Sequence, residues 1–229
     1  AFIDLLIEDF ADEWLTKAMF HYRWYYDADI ERAGEILPRW RGISAPEDSI
    51  QQMKKVFQDR QISRLWVVGS NDTTAPVIEN SYKRYLKLMS QLIEKQQFLL
   101  GDRPASSDFA HYGQLTQLVA FDPTPMAIAY AEAPRVCAWV QLVDDLSGLP
   151  CDDSEQGSGW IGREQAGAVL KDLLTEIGQV YAPVMLANHQ AIQDGAEQAE
   201  TSVDGLPWVQ KPFPYQAKCL MALRIQYHE

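Results

Sequence analysis

Phe2-Ile3-Asp4-Leu5-Leu6-Ile7-Glu8-Asp9-Phe10-Ala11-Asp12-Glu13-Trp14-Leu15-Thr16-Lys17-Ala18-Met19 opens the chain, and its spacing decides the fold class. Ile3, Ile7, Ala11, Leu15 and Met19 recur every four residues. Phe2, Leu6, Phe10, Trp14, Ala18 and Tyr22 form the adjoining row, so the two rows merge into one broad apolar stripe at the period of an α-helix. Asp4, Glu8, Asp9, Asp12, Glu13, Thr16 and Lys17 take the other side, which reads as a solvated face. A helix over 1–26 with so wide a stripe needs a substantial apolar surface to pack against.

The helical period returns downstream. Residues 28–37 and 46–66 read as helices. The second starts at Ala45-Pro46-Glu47-Asp48, with Pro in the first turn and carboxylates at the positive end of the helix dipole. Gly69-Ser70-Asn71-Asp72-Thr73-Thr74 breaks the pattern. Residues 76–97 resume it with Ile78, Tyr82, Tyr85, Leu86, Met89, Leu92 and Ile93 inward. Residues 106–121 and 124–145 predict two helices separated by Asp122-Pro123. Residues 163–194 predict one long helix kinked at Pro183, whose ring removes a backbone donor. The stretch from Ser147 to Gly159 is a loop by composition, Thr201 to Val209 a short hairpin around Asp204-Gly205, and 214–227 a closing helix. No run of alternating strands occurs, so the class is all-α: a helical bundle with a helical C-terminal extension and a short β-hairpin.

Composition narrows the function classes. Of 229 residues, 47% are hydrophobic and 11% aromatic, which excludes wholesale disorder and suits a sizeable core. No apolar run reaches about 18 residues, so no span of a membrane is expected. A net charge of −12 makes nucleic acid and anionic membrane surfaces poor partners. The acid is uneven: residues 1–100 hold 15 acidic and 13 basic residues, whereas 101–229 hold 17 and 7. The cysteines, Cys137, Cys151 and Cys219, are odd in number and lack CxxC spacing, which favours neither a disulfide framework nor a zinc site. Cys137 and Cys219 read as small buried hydrophobes and Cys151 as a loop thiol, in keeping with a reducing cytoplasm. Ala1-Phe2-Ile3-Asp4 has no basic n-region and reads as a cut end rather than a secretory signal.

Phe98-Leu99-Leu100-Gly101-Asp102-Arg103-Pro104-Ala105-Ser106-Ser107-Asp108-Phe109-Ala110 resembles the motif that opens the central helix of the C-terminal domain of glutathione transferases. In that family an apolar pair and Gly lead into Pro, a Ser or Thr caps the helix, and an Asp three residues on completes a capping box. Here the capping position falls on Ala105, Asp108 retains the carboxylate, and Ser106 comes one residue late. Either the helix start shifts by one or the cap weakens by about 1 kcal/mol. Tyr112, Leu115, Leu118, Asp122-Pro123-Thr124-Pro125 and Ala133-Pro134-Arg135-Val136-Cys137-Ala138-Trp139-Val140 continue the resemblance. Residues 1–26 and 76–97 resemble the helix pair that forms the family's domain core and dimer surface. The resemblance covers 1–145; 146–229 is expected as a C-terminal helical extension packed on that domain, and the residues after 160 are similar to an extension in some bacterial members.

The resemblance implies a cytoplasmic homodimer that conjugates glutathione to a small hydrophobic electrophile, or reduces the electrophile with it. Glutathione is then the co-substrate, and no metal is required. The family's thioredoxin-like domain, with its thiol-activating residue, has no counterpart in the pattern of this chain. It is therefore expected as a separate part of the parent protein. No catalytic residue is assigned here, and the chain alone is expected to be inactive. The alternative is a non-catalytic protein-interaction module of the same fold.

By the same resemblance, the end of the first helix borders the electrophile pocket. His21, Tyr22 and Tyr25 are candidate substrate contacts, together with Tyr112 and Tyr215, because phenols and imidazole can donate hydrogen bonds to a carbonyl or leaving group. The competing reading makes these aromatics core, with Arg23 stacked or paired. Tyr215 follows Pro212-Phe213-Pro214 and begins a helix that either closes over the pocket or packs on the first helix. His111 reads as a satisfied or surface histidine. The first-helix carboxylates lack a Glu-x-x-His partner, so a metal site is not expected. Gly157-Ser158-Gly159-Trp160-Ile161-Gly162 matches GxGxxG but follows an acidic loop rather than a strand, and reads as a flexible loop. P-loop, HExxH and GxSxG patterns are absent.

Overall fold

A computed structural model describes residues 1–149 and 159–228. Helix α1 (Phe2–Phe10), a π-helical turn (Ala11–Leu15) and α2 (Thr16–Tyr25) run as one rod. Within the turn the Thr16 amide reaches the Ala11 carbonyl, five residues back. Helices α3 (Asp27–Arg41) and α4 (Glu47–Ile62) form a hairpin, followed by a short 3-10 turn (Leu65–Val68). Next come α5 (Ala75–Ile93), α6 (Ser106–Ala120), α7 (Pro123–Glu132) and α8 (Pro134–Asp144). The C-terminal part comprises α9 (Arg163–Val169), α10 (Lys171–Glu176), a second π turn (Ile177–Tyr181) and α11 (Ala182–Asp194). Strands β1 (Ala199–Val203) and β2 (Leu206–Gln210) precede α12 (Pro214–His228). The protein is therefore mostly helical, with a two-stranded antiparallel sheet near its C-terminus. Asp204 (φ 51°) and Gly205 (φ 77°) turn that hairpin, as an Asp-Gly pair does in a type I′ turn.

Three expected elements differ. The single helix over 124–145 is two helices, because Pro134 donates no amide and the residue before it, Ala133, is driven to φ −144°, ψ 57°. The long helix over 163–194 breaks at Leu170 (φ −93°, ψ 0°), and the π turn intervenes before Pro183. The loop ending at Gly159 and the GxGxxG run are not free at their C-terminal side. The Asp102 amide donates to the Gly159 carbonyl at 2.7 Å and the Ile161 amide to the Leu100 carbonyl at 2.8 Å. Gly101 (φ 132°) permits this pairing, since a Cβ there would lie 2.5 Å from the Gly159 carbonyl oxygen. Gly157, Ser158 and Cys151 lie outside the described residues.

One core cluster joins both ends of the chain: Ile7, Phe10 and Trp14 from the rod, Tyr82, Tyr85 and Met89 from α5, Leu115 and Leu118 from α6, Val136 from α8, Val180 and Trp208 from the C-terminal part. Each such side chain contributes about 1.5–3 kcal/mol on burial. A smaller cluster of Trp24, Ala33 and Phe121 sits at the root of the α3–α4 hairpin.

The start of α6 is fixed by carboxylates. Buried Asp108 accepts the Leu99 amide at 2.8 Å and the Ala105 amide at 2.9 Å. The helix begins at Ser106 with Ala105 as N-cap, so its start has not shifted. The missing capping hydroxyl is replaced from another helix, as Asp4 of α1 accepts the Ser107 amide at 3.1 Å. The Ser106 hydroxyl lies 2.9 Å from Asp4 and 2.7 Å from Glu8.

Candidate functional site

The aromatic run at the end of α2 folds against the 69–74 turn and α5. His21 is fully buried; its Nδ1 is 2.8 Å from Ser70 Oγ and its Nε2 is 3.2 Å from Glu79 Oε1. Burial lowers the His21 pKa, with Glu79 opposing. A neutral ring there donates from Nε2 to the carboxylate and accepts the Ser70 hydroxyl at Nδ1. Tyr26 donates to the same Glu79 oxygen at 2.6 Å, and Tyr25 donates to Asp72 at 2.8 Å. The His21 and Tyr25 rings lie 4.6 Å apart, and Tyr22 packs edge-on against Tyr82 at 5.4 Å. The Tyr22 hydroxyl is buried with no hydrogen-bond partner among the described residues, and burial holds its pKa far above the usual phenol range.

Ser70, His21 and Glu79 have the connectivity of a nucleophile, base and orienting carboxylate. Ser70, however, is 4% exposed, which leaves no approach for an electrophile. The trio therefore acts as a clasp that holds the 69–74 turn onto α2. Gly69 (φ 75°) completes it, because a Cβ there would lie 2.5 Å from the Trp208 ring.

Arg23, expected to be stacked or paired, is both. Its Nε and Nη2 donate to the two oxygens of buried Asp122 at 2.9 and 2.8 Å, Nη2 donates to Gln117 at 2.7 Å, and the guanidinium covers the Phe121 ring at 4.8 Å. His111 is the satisfied histidine. The Tyr85 hydroxyl donates to its Nδ1 at 2.7 Å and its Nε2 donates to the Ile7 carbonyl at 3.1 Å. Burial lowers its pKa to about 4.

A second place offers room. A cleft of about 240 Å³ lies between α1 and α12, lined by Leu5, Glu8, Asp9, Asp12, Tyr215 and Cys219, among others. Tyr181 donates to Asp9, and Gln216 donates to Glu13 at 2.8 Å. Desolvation, and secondarily mutual repulsion, raises the pKa of Asp9, Asp12 and Glu13. Burial and then the Asp9 and Glu13 charges push the Cys219 thiol up to about 12, so it is not a thiolate nucleophile near neutrality. Cys219 is half-buried in this wall rather than buried in the core as expected. Behind the wall, Lys17 is 2% exposed, lies 5.9 Å from the centre of the Trp208 ring, and has its pKa lowered by burial to about 8.

The solvated-face reading of the first helix is thus corrected. Asp4 and Glu8 seat α6, Asp9 and Glu13 are held by Tyr181 and Gln216, and Asp12 alone of the five carboxylates is exposed. The last helix supplies the cover.

The five expected contacts do not form one site. His21, Tyr22 and Tyr25 adjoin one another, Tyr215 lines the α1–α12 cleft, and Tyr112 donates to Asp144 on α8. No group of three or more His, Cys, Asp or Glu residues is arranged to hold a metal among the described residues. No helix among them is long and apolar enough to cross a membrane. No family model, curated protein or solved structure matches the chain.

Proposed function

We propose that this chain is the helical, co-substrate-binding part of a glutathione transferase-type protein, in which the α1–α12 cleft takes up the electrophile. The observation that carries the reading is the seat of α6. A buried carboxylate, Asp108, closes a turn between Leu99 and Ala105 at the start of a helix flanked by α1 and α8. In this reading glutathione is held by a thioredoxin-like domain, the assembly is a cytoplasmic homodimer, and no metal takes part. Leu5 and Leu223 hold the apolar body of the electrophile, and the Tyr215 hydroxyl donates to a carbonyl or leaving group as charge develops there. The carboxyl wall of Glu8, Asp9 and Asp12 disfavours anions, glutathione among them, and favours neutral molecules.

The test is titration of the chain with 1-chloro-2,4-dinitrobenzene and with glutathione, followed by isothermal calorimetry, beside turnover assays on the protein joined to its thioredoxin-like domain. Saturable electrophile binding that Tyr215→Phe weakens several-fold, with no glutathione binding to this chain, is expected. Absence of electrophile binding together with absence of glutathione-dependent turnover overturns the reading. The interaction-module reading is favoured by one observation, the apolar stripe that α4 leaves in solvent around Val56, which is 69% exposed.

A further inference from the structure

Helices α3 and α4 pair antiparallel. Arg39 meets Glu47 at 2.6 Å, Lys54 meets Glu31 at 2.5 Å and Glu35 at 2.6 Å, and Gln58 donates to the Ile30 carbonyl at 2.9 Å. On the outer side of the pair runs a groove of about 490 Å³. Its floor is Leu37 and Pro38 from α3 and Met53, Val56 and Phe57 from α4. Met53, Val56, Phe57 and Arg60 stand at i, i+3, i+4 and i+7, a full helical stripe, yet α4 buries only Ile50 completely. Phe57 turns inward onto Trp24 of α2, 5.5 Å away, so α2 covers one side of the hairpin, while Met53 and Val56 stay in solvent on the other.

The rim carries charge of one sign. Arg41 and Arg60 line the groove and make no ion pair among the described residues, while the neighbouring Arg39, Lys54 and Lys55 are each paired with carboxylates. Arg60 lies eight residues along α4 from Gln52, about 12 Å at the α-helical rise. Two guanidiniums without an ion pair among the described residues, both lining an apolar groove, favour carboxylates on the occupant. A lipid surface is disfavoured, because residues 27–62 hold seven acidic and six basic residues and present no broad positive face.

We propose that the α3–α4 groove docks an amphipathic helix of a partner protein. That helix presents apolar side chains at i, i+3 and i+4 to Met53, Val56 and Phe57. Its carboxylates meet Arg41 and Arg60. The site is separate from the α1–α12 cleft and does not depend on it.

The test uses the full chain and a labelled 16-residue amphipathic helical peptide with that spacing, beside a twin in which each carboxylate is replaced by lysine, read by fluorescence anisotropy. Saturable binding of the acidic peptide, at least tenfold tighter than of the lysine twin, is expected. Val56→Asp is expected to weaken it at least tenfold with an unchanged melting temperature. Arg41→Glu with Arg60→Glu is expected to reverse the preference between the twins. Equal binding of both peptides, no saturable binding, or indifference to Val56→Asp overturns the proposal. So does capture of the chain by phosphatidylserine vesicles, or self-association, that Val56→Asp abolishes.

Discussion

Arg23 is held by the buried carboxylate of Asp122, the half-buried amide of Gln117 and the face of Phe121. Burial still raises the Asp122 pKa to about 6 despite this partner. Replacing Arg23 with Met leaves a buried unpaired carboxyl, and a loss of about 3–5 kcal/mol is expected in urea unfolding at pH 8. Adding Asp122→Leu is expected to recover much of it. His111 makes a pH-dependent contribution of defined sign. Its pKa falls from 6.5 to about 4 in the folded chain, so between those values the unfolded chain binds the extra proton. Stability therefore drops as pH falls through this window, by about 3 kcal/mol in all. Asp108 and Asp122, each raised from 3.8 to about 6, act in the opposite direction over an overlapping range. The difference in unfolding midpoint between the protein and its His111→Phe variant, followed from pH 7 to 4.5, isolates the histidine. It is expected to shrink or reverse on acidification.

Among the elements, α6 shows what a sequence can and cannot carry. The Ala105–Asp108 half of the seat is legible because it is local, three residues apart, whereas the Leu99 amide lies nine positions back and the spacing leaves the cap position open. The Asp4 carboxylate that replaces the missing hydroxyl is not legible, since it comes from 103 positions away and no spacing rule links the two. The same holds for Ser70, which reaches His21 across 49 positions. Tyr25 and Tyr215 were legible as polar aromatics, but only packing decides that one adjoins a buried clasp and the other a cleft. Helix α5 and the Asp204-Gly205 hairpin match their patterns closely, while the breaks at Leu170 and in the π turns have no marker in the periodicity. The cap itself is testable. Ala105→Ser supplies an acceptor to the first turn of α6, and a gain of about 0.5–1 kcal/mol is expected by thermal or urea unfolding. Asp4→Ala is expected to lose a similar amount, and less in the Ala105→Ser background, since both serve the same helix end.

Across the molecule, cohesion is unequal. The main cluster joins the rod, α5, α6, α8 and the C-terminal elements, whereas the α3–α4 hairpin is rooted in the small Trp24, Ala33 and Phe121 cluster. Amides of α4 are therefore expected to exchange with deuterium orders of magnitude faster than those of α5 and α6, at a free energy below that of global unfolding. Equal protection in the two regions would contradict this. The π turn at Ala11–Leu15 bears on the whole assembly in another way. Each residue of an α-helix advances the side chains by about 100°, so the wider turn offsets the angular phase of α2 against that of α1. Both halves of the rod pack on α6; beyond it α1 addresses α12, while α2 addresses α3, α5 and the 65–68 turn. The rod is a crankshaft with two throws, and the chain length between residues 11 and 15 sets the angle between them. Removing one residue there would regularise the winding and yet misalign every partner on one side, whereas the same deletion in the 42–46 connection would only shorten a loop.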